Sequence, residues 1–146
     1  MSSFEVKILK NNVKVYSRKA QKIYQQALND ALDDLVRTSS QSAPHDEGIL
    51  EKSWSKDLKF SGNRPFGVVS YTVKKSGGKG NFNYALKMHE GGYELGPGSR
   101  NKPGGKGMSG KTYKVGPGYL GDVAKGERQA YSKHIEDKLV KFSRSF

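Results

Sequence analysis

Cysteine is missing altogether from this sequence of 146 residues, and long apolar runs are missing as well. Without cysteine the chain forms no disulfide and holds no cysteine-ligated metal ion. No stretch approaches the roughly 18 consecutive apolar residues of a transmembrane helix, and residues 1–15 lack the apolar centre of a secretory signal. We therefore expect a soluble protein that is neither secreted nor associated with a membrane.

Acidic side chains are few, so the net charge is strongly positive. The chain carries 26 Lys and Arg against 14 Asp and Glu, a formal charge of +12, and residues 55–122 hold 12 of the basic and 4 of the acidic side chains. A field of this sign attracts polyanions and acidic protein faces. A surface that only keeps the protein soluble would have the same composition, so both interpretations stay open.

The length of the chain predicts a single domain, residues 1–146. Within it, apolar periodicity predicts two helices. Between residues 19 and 42, apolar side chains recur every three or four positions in one stripe, with Asp34 among the residues outside it, as in an amphipathic helix. Pro44 ends this pattern, because proline disfavours helical geometry at the residue before it. Residues 122–142 repeat the pattern more weakly and predict a C-terminal helix.

Short alternating segments predict a small antiparallel sheet. Residues 4–16 indicate a strand or hairpin arm, and residues 56–60 and 66–75 flank a turn and indicate a hairpin. Residues 82–90 place apolar side chains at a period of two, which predicts a strand, although a short helix also fits. The predicted fold class is α+β, a small antiparallel β-sheet packed against a long N-terminal helix and a C-terminal helix.

Glycine and proline are concentrated in one segment. Residues 91–118 contain ten glycines and three prolines, and a segment so poor in apolar side chains is not expected to order itself. We therefore predict a long, flexible Gly/Lys-rich loop at about 91–118. It includes one short strand candidate, residues 111–115.

The predicted loop contains a string that fits a phosphate-binding motif. Residues 105–112 read GKGMSGKT and match G-x-x-x-x-G-K-[ST], with Lys111 and Thr112 at the last two fixed positions. In a nucleotide site a buried strand precedes this pattern and a helix begins at the Lys-Ser/Thr pair, so that backbone N–H groups converge on the phosphates. Here no apolar run precedes the string, and Gly-Pro-Gly at 116–118 blocks a helix. A basic loop is the better interpretation, and a nucleotide hydrolase stays as a third hypothesis.

Patterns for catalysis and metal binding are sparse. His45-Asp46-Glu47 and His89-Glu90 place titratable groups side by side, but adjacent residues point in different directions and neither group has ligand spacing. His134 stands alone, and the chain has neither a G-x-S-x-G string nor a paired-carboxylate signature. The sequence predicts no metal ion, no cofactor and no catalytic residue, so we expect a protein that is not an enzyme.

Four cations in the glycine-rich segment are candidates for contact with DNA or with a partner protein. On a flexible backbone, Lys and Arg neutralise phosphates without reading base sequence. Aromatic side chains that would stack on bases are scarce in this segment, so loose contact with nucleic acid fits better than specific recognition. A solvated loop with no partner fits equally well. The four residues are Arg100, Lys102, Lys106 and Lys111.

Three separated segments resemble, in order, a family of bacteriophage proteins. SAPHDEGILEKSW (42–54) resembles A-P-x-D-T-G-x-L-x-x-S, NYALKMHEGG (83–92) resembles Y-A-x-x-x-H/E-x-G, and KVGPGYLGDVAKGE (114–127) resembles P-x-F/Y-L-x-x-A. All three patterns occur in the tail-completion, or head–tail connector (neck, minor capsid), proteins of long-tailed phages. The matching residues are Ala43, Pro44, Asp46, Gly48, Leu50, Ser53, Tyr84, Ala85, His89, Glu90, Gly91 or Gly92, Pro117, Tyr119 and Leu120, with Ala124 one position beyond the alanine of the third pattern and Glu47 in place of the usual threonine.

The resemblance implies a structural protein of the virion, made in the host cytoplasm. Family members form rings, commonly hexamers, between the head connector and the tail tube or tail terminator, and double-stranded DNA passes through the ring. The long Gly/Lys segment departs from compact family members, and it would line the lumen or order against a neighbouring subunit. The motif residues themselves indicate a scaffold, since Gly48 permits a sharp turn and Leu50 returns apolar surface to the core.

A head–tail joining ring is therefore the leading hypothesis. A non-specific nucleic-acid-binding protein that uses the basic glycine-rich loop is the alternative.

Overall fold

Two long helices lie side by side in the fold. Helix α1 spans Arg18–Ser42 and helix α4 spans Gly121–Ser143, which confirms both helices that the apolar periodicity predicts. None of the helices described is long and apolar enough to cross a membrane. The structure is a computed structural model, and it describes residues 4–8, 18–45, 50–62, 64–73, 84–91 and 93–143.

A three-stranded antiparallel sheet packs against α1. Strand β1 spans Phe4–Ile8, β2 spans Trp54–Ser61 and β3 spans Arg64–Tyr71, in the order β1-β3-β2. β2 and β3 pair along their whole length, which confirms the predicted hairpin, and a turn of 3₁₀ helix at Leu50–Lys52 precedes β2. The N-terminal strand is confirmed for residues 4–8, whereas residues 9–16 of that prediction lie outside the described residues.

The main core lies between α1, β3 and the start of α4. α1 contributes Leu32 and Leu35, β3 contributes Val69 and Tyr71, and all four side chains are fully buried. A second cluster, formed by Tyr24, Ala27, Leu28 and Ile135, joins the N-terminal half of α1 to the C-terminal half of α4. The α+β fold class is thus confirmed.

The strand predicted at residues 82–90 is wrong, because Tyr84–Glu90 form a helix, α2. Ala85 is buried and Met88 packs against the core, while Lys87 and Glu90 are exposed. A buried position followed three residues later by another is helical spacing. Over so short a segment the alternation of apolar letters imitated a strand.

The segment predicted as a flexible loop, 91–118, contains short elements of secondary structure. Pro97–Arg100 form a short helix, α3, and Gly105–Lys106 (β4) pair antiparallel with Thr112–Tyr113 (β5). The Gly116 N–H also donates to the Ser42 carbonyl at the end of α1, at 3.0 Å. The prediction counted apolar surface alone, whereas this segment is held by hydrogen bonds to α1 and α4.

Candidate functional site: a glycine hairpin closed over two carboxylates

Residues 105–113, here named the glycine hairpin, include the whole string that fits the phosphate-binding motif. The Gly107 N–H donates to the Lys111 carbonyl at 2.9 Å, and the Gly110 N–H donates to the Gly107 carbonyl at 2.9 Å. Gly110 has a φ of 89°, a left-handed conformation that favours glycine. Thr112 lies in strand β5, where a nucleotide site would have the first turn of a helix.

Backbone N–H groups at the tip of the glycine hairpin point at carboxylates of the same chain. The Met108 N–H donates to Asp34 Oδ2 at 3.0 Å, and the Ser109 N–H donates to Glu127 Oε1 at 2.7 Å. Phosphate loops hold their anion with successive backbone N–H groups in this way. Here the anions are supplied by α1 and α4, so both N–H groups already have an acceptor.

Asp34 is held by groups from three elements. Arg37 Nη2 lies 2.5 Å from Asp34 Oδ1, and the Tyr131 hydroxyl of α4 donates to Oδ2 at 2.8 Å. Arg37 also donates to the Lys106 carbonyl of β4 at 2.9 Å. With 9% of its surface exposed, this carboxylate is buried only because these donors replace water. Asp34 was predicted to lie outside the buried stripe of α1, and that placement is wrong.

Glu127 is fully buried, at 0% exposure. The Tyr113 hydroxyl donates to its Oε2 at 2.8 Å, and the Ser109 hydroxyl donates to the same oxygen. Together with the Ser109 N–H, these bonds tie the tip and the second strand of the glycine hairpin to α4. A buried carboxylate with this many donors fixes geometry and leaves no oxygen facing solvent.

Three glycines mark the closest contacts between the glycine hairpin and the helices. A Cβ at Gly107 would lie 2.2 Å from the Glu127 carboxyl group, and a Cβ at Gly105 would lie 2.3 Å from the Thr38 carbonyl oxygen. On α4, a Cβ at Gly126 would lie 2.1 Å from the Tyr113 hydroxyl oxygen. In these places the sequence needs glycine for close packing.

The position of Glu127 on the buried stripe of α4 is a signal that the sequence contains and that the apolar pattern alone does not reveal. Val123, Glu127, Tyr131 and Ile135 follow one another at intervals of four, and all four are buried. A carboxylate on the apolar stripe of a helix requires a built polar environment. Nothing comparable in the sequence links Glu127 to residues 105–113, since that contact depends on tertiary structure.

Tyr113 and Tyr131 should resist ionisation in the folded protein. Burial, then the hydrogen bond to Glu127, raises the pKa of Tyr113, and burial, then the hydrogen bond to Asp34, raises the pKa of Tyr131. As the pH rises above about 10, the unfolded chain loses phenolic protons that the folded chain keeps, so the free energy of unfolding falls. In a tyrosinate absorbance titration, these two hydroxyls should ionise only as the protein unfolds. Ionisation of all eight tyrosines near pH 10 with the fold intact would contradict this arrangement.

The four cations singled out in the sequence have different surroundings. Arg100, Lys106 and Lys111 are exposed, and Lys111 Nζ lies 3.3 Å from the Gly126 carbonyl oxygen. Lys102 bonds within the chain, because its Nζ donates to the Ala43 carbonyl at 2.6 Å and to the Ser40 carbonyl at 3.1 Å. It also lies 3.3 Å from Glu51 Oε2. A contact of Lys102 with DNA or a partner stays a prediction, and these bonds within the chain compete with it.

The second and third segments that carry the phage resemblance meet in space. The Tyr119 hydroxyl donates to the Ala85 carbonyl at 2.7 Å, and the Gly118 N–H donates to the His89 carbonyl at 2.9 Å. The Tyr119 ring stands edge-on to Tyr71 of β3, with ring centroids 5.2 Å apart. These contacts attach α2 and the start of α4 to the centre of the sheet.

Most of the other residues of the resemblance lie close to this contact or in the same core. Leu50 and Leu120 are fully buried in the main core, and Pro44 is buried after α1. Gly91 has a φ of 95° and faces Pro117, while Glu90 is exposed. Outside the described residues lie Asp46, Gly48 and the side chain of Tyr84.

His89 connects these segments to the start of α4. Its Nε2 accepts a hydrogen bond from the Gly121 N–H at 2.9 Å, and its ring stands edge-on to Tyr119. Burial lowers the pKa of His89, although the charges of Asp122 and Glu90 act in the opposite direction. The fold therefore favours the neutral imidazole, whose lone pair caps the helix.

This contact predicts a loss of stability in acid. As the pH falls below about 6.5, the unfolded chain takes up a proton that the folded protein resists, so the free energy of unfolding decreases. His89→Ala should lower that free energy by about 1 kcal/mol at neutral pH, the usual effect of removing a helix cap, and should weaken its dependence on pH. Urea unfolding at a series of pH values measures both, with His134→Ala as the control. An unchanged pH profile in His89→Ala would contradict the role of the imidazole.

The other two histidines lie elsewhere. His45 pairs with Glu51, and His134 Nε2 lies 2.9 Å from Asp30 on α1. In the part of the chain that the structure describes, no three His, Asp or Glu side chains gather where they could hold a metal ion.

Comparison of the chain with protein families, curated proteins and solved structures finds no match. The functional assignment therefore depends on the three sequence segments and on the geometry described above.

Proposed function

We propose that this protein is a structural subunit at the neck of a long-tailed bacteriophage. It joins head to tail as a ring of copies through which double-stranded DNA passes, and it binds the head connector and the tail tube or tail terminator. The observation that carries the proposal is the direct contact of two separated motif segments, in which Tyr119 donates to the Ala85 carbonyl. If the chain shares the framework of the phage family, residues of its separate motifs should contact one another, as these do.

The first motif segment supports the same proposal. Its Leu50 is buried in the core that also contains Ala85, Tyr119 and Leu120. Residues from three distant parts of the chain thus occupy one buried cluster next to β3. A framework of this kind positions surfaces for assembly.

The closed carboxylates favour a structural role over catalysis. Glu127 is fully buried beneath the glycine hairpin, and its oxygens accept hydrogen bonds from Ser109 and Tyr113. A general base must reach the proton that it removes, and no substrate reaches this carboxylate while the glycine hairpin is closed. Its contacts are those of an anchor between the hairpin and α4.

The genetic test uses the phage that encodes the chain. Mass spectrometry of purified virions should detect the protein, and interruption of its gene should leave DNA-filled heads and free tails that electron microscopy resolves as separate particles. Complementation with the intact gene should restore joined particles. Absence of the protein from virions, together with no association with connector or tail proteins, would overturn the proposal.

Non-specific binding to nucleic acid is the second candidate function. It is favoured by the exposure of Lys106 and Lys111 on the glycine hairpin, which holds both lysines on an ordered support. Each lysine that neutralises a phosphate contributes about one unit to the slope of log K against log salt. This function predicts that Lys106→Ala/Lys111→Ala reduces the slope by about two, whereas Lys133→Ala/Lys138→Ala, which changes two exposed lysines of α4, has a smaller effect. No DNA binding by the intact protein at low salt would remove this candidate.

A further inference from the structure

The outer edge of β2 has no strand partner among the described residues, and one side of the strand carries three large apolar side chains together with Lys56, which pairs with Asp33 of α1. In the order β1-β3-β2, β2 is a terminal strand that pairs with β3 along all eight of its residues. On the side that faces α1, Trp54, Leu58 and Phe60 are 43%, 37% and 55% exposed. A proline-free edge that carries exposed apolar side chains readily accepts another strand.

The opposite side of β2 carries two exposed charges of opposite sign, Asp57 and Lys59. We propose that β2 pairs, antiparallel, with β2 of a second copy of this chain, in the register that places Leu58 opposite Leu58. Asp57 of each copy then lies opposite Lys59 of the other, which gives two favourable charge pairs. Trp54, Leu58 and Phe60 of the two copies lie on the same side of the joined sheet, where Lys56 of each copy is opposite Phe60 of the other.

The charges select this register over its neighbours. A slip of one residue moves the apolar rows of the two copies to opposite faces. Moving the two-fold axis to residue 57 or to residue 59 keeps these side chains on one face. The first register places Asp57 opposite Asp57 and the second places Lys59 opposite Lys59. Like charges directly opposite each other destabilise a strand pair. The self-complementarity of residues 57–59 is the reason for assigning the edge to a second copy.

The pairing goes beyond the proposed ring and needs only the sheet edge. A two-fold contact of this kind is closed, because each copy uses the same surface. It covers in the free protein an edge that would otherwise promote aggregation. The role in head–tail joining and the pairing of the free protein can therefore be tested separately.

Charge reversal tests the register through sedimentation equilibrium of the purified full chain. The native protein should form dimers, and Asp57→Lys and Lys59→Asp should each raise the dimer dissociation constant by about tenfold or more, because two favourable pairs become repulsive. An equimolar mixture of the two variants should recover native affinity, because both opposite-charge pairs form again between unlike copies. Asp137→Lys, at an exposed charge pair on α4, is the matched control and should dimerise as the native protein does.

Three results would overturn the inference. They are a native protein that stays monomeric, a self-associated native protein that neither single reversal weakens, and single reversals that weaken association with no recovery on mixing. Both altered side chains are exposed, so the circular dichroism and thermal midpoint of each variant should match those of the native protein. If either variant unfolds, the double variant Asp57→Lys/Lys59→Asp is tested instead, and it should dimerise because it restores both charge pairs. Failure of that double variant to dimerise would also overturn the inference.

Discussion

Replacing Glu127 with Ala should lower the free energy of unfolding by about 1–3 kcal/mol, the usual effect of leaving hydrogen-bond donors without their acceptor. Glu127 is fully buried, and the Ser109 N–H donates to it at 2.7 Å and the Tyr113 hydroxyl at 2.8 Å. Truncation removes the acceptor that these donors share, so the contact between the glycine hairpin and α4 is lost. Urea unfolding monitored by circular dichroism measures the change.

Two further variants separate this network from a general effect of removing a carboxylate. Asp137→Ala removes a side chain that is 65% exposed and is paired with Lys133, and it should change stability by less than about 0.5 kcal/mol. Tyr113→Phe should destabilise the native protein but have a much smaller effect in the Glu127→Ala background, because its acceptor has already gone. Additive effects of the two changes would show that the hydroxyl and the carboxylate do not interact.

Gly105→Ala should lower the free energy of unfolding by about 3 kcal/mol, at the upper end of the range for overpacking. The added Cβ would lie 2.3 Å from the Thr38 carbonyl oxygen, which is backbone of α1 and cannot rotate away. Either the glycine hairpin separates from α1 or the helix moves. Thermal unfolding measures the loss.

Gly96→Ala is the matched control, because it makes the same change in the same glycine-rich segment. A Cβ at Gly96 meets nothing within 4 Å, and its φ of −75° suits any residue. This variant should leave stability unchanged or raise it by about 0.4–1 kcal/mol through a lower entropy of the unfolded chain. Equal, small effects at both positions would mean that residue 105 lies in a flexible loop after all.

The helices and the central hairpin were predictable because a single strong pattern determines each of them. The stripe of α1 runs for about seven turns, and strands β2 and β3 are separated by a recognisable turn. α2 was mistaken for a strand because two turns of helix contain too few residues to separate a period of two from one of 3.6. Its helical form is fixed by contacts with Tyr119, which lies 34 residues from Ala85.

The candidate site shows a different limit. The string GKGMSGKT was recognisable, and its flanking residues favoured rejection of a nucleotide loop. What the sequence could not show is that the N–H groups of Met108 and Ser109 meet carboxylates from α1 and α4. Low apolar content predicts a flexible segment, whereas hydrogen bonds to charged groups also hold a backbone in place. The glycines permit that close approach.

Amide hydrogen exchange of the glycine hairpin, with and without magnesium nucleotide, tests most directly the claim that this motif-like string is bound by the protein's own carboxylates. We predict that the amides of Met108 and Ser109 are protected in the free protein and that ATP or GTP leaves their exchange unchanged. In Glu127→Ala, protection at Ser109 should be lost. Exchange of both amides at the rate of an unfolded chain, or protection that appears only when nucleotide is added, would contradict the account.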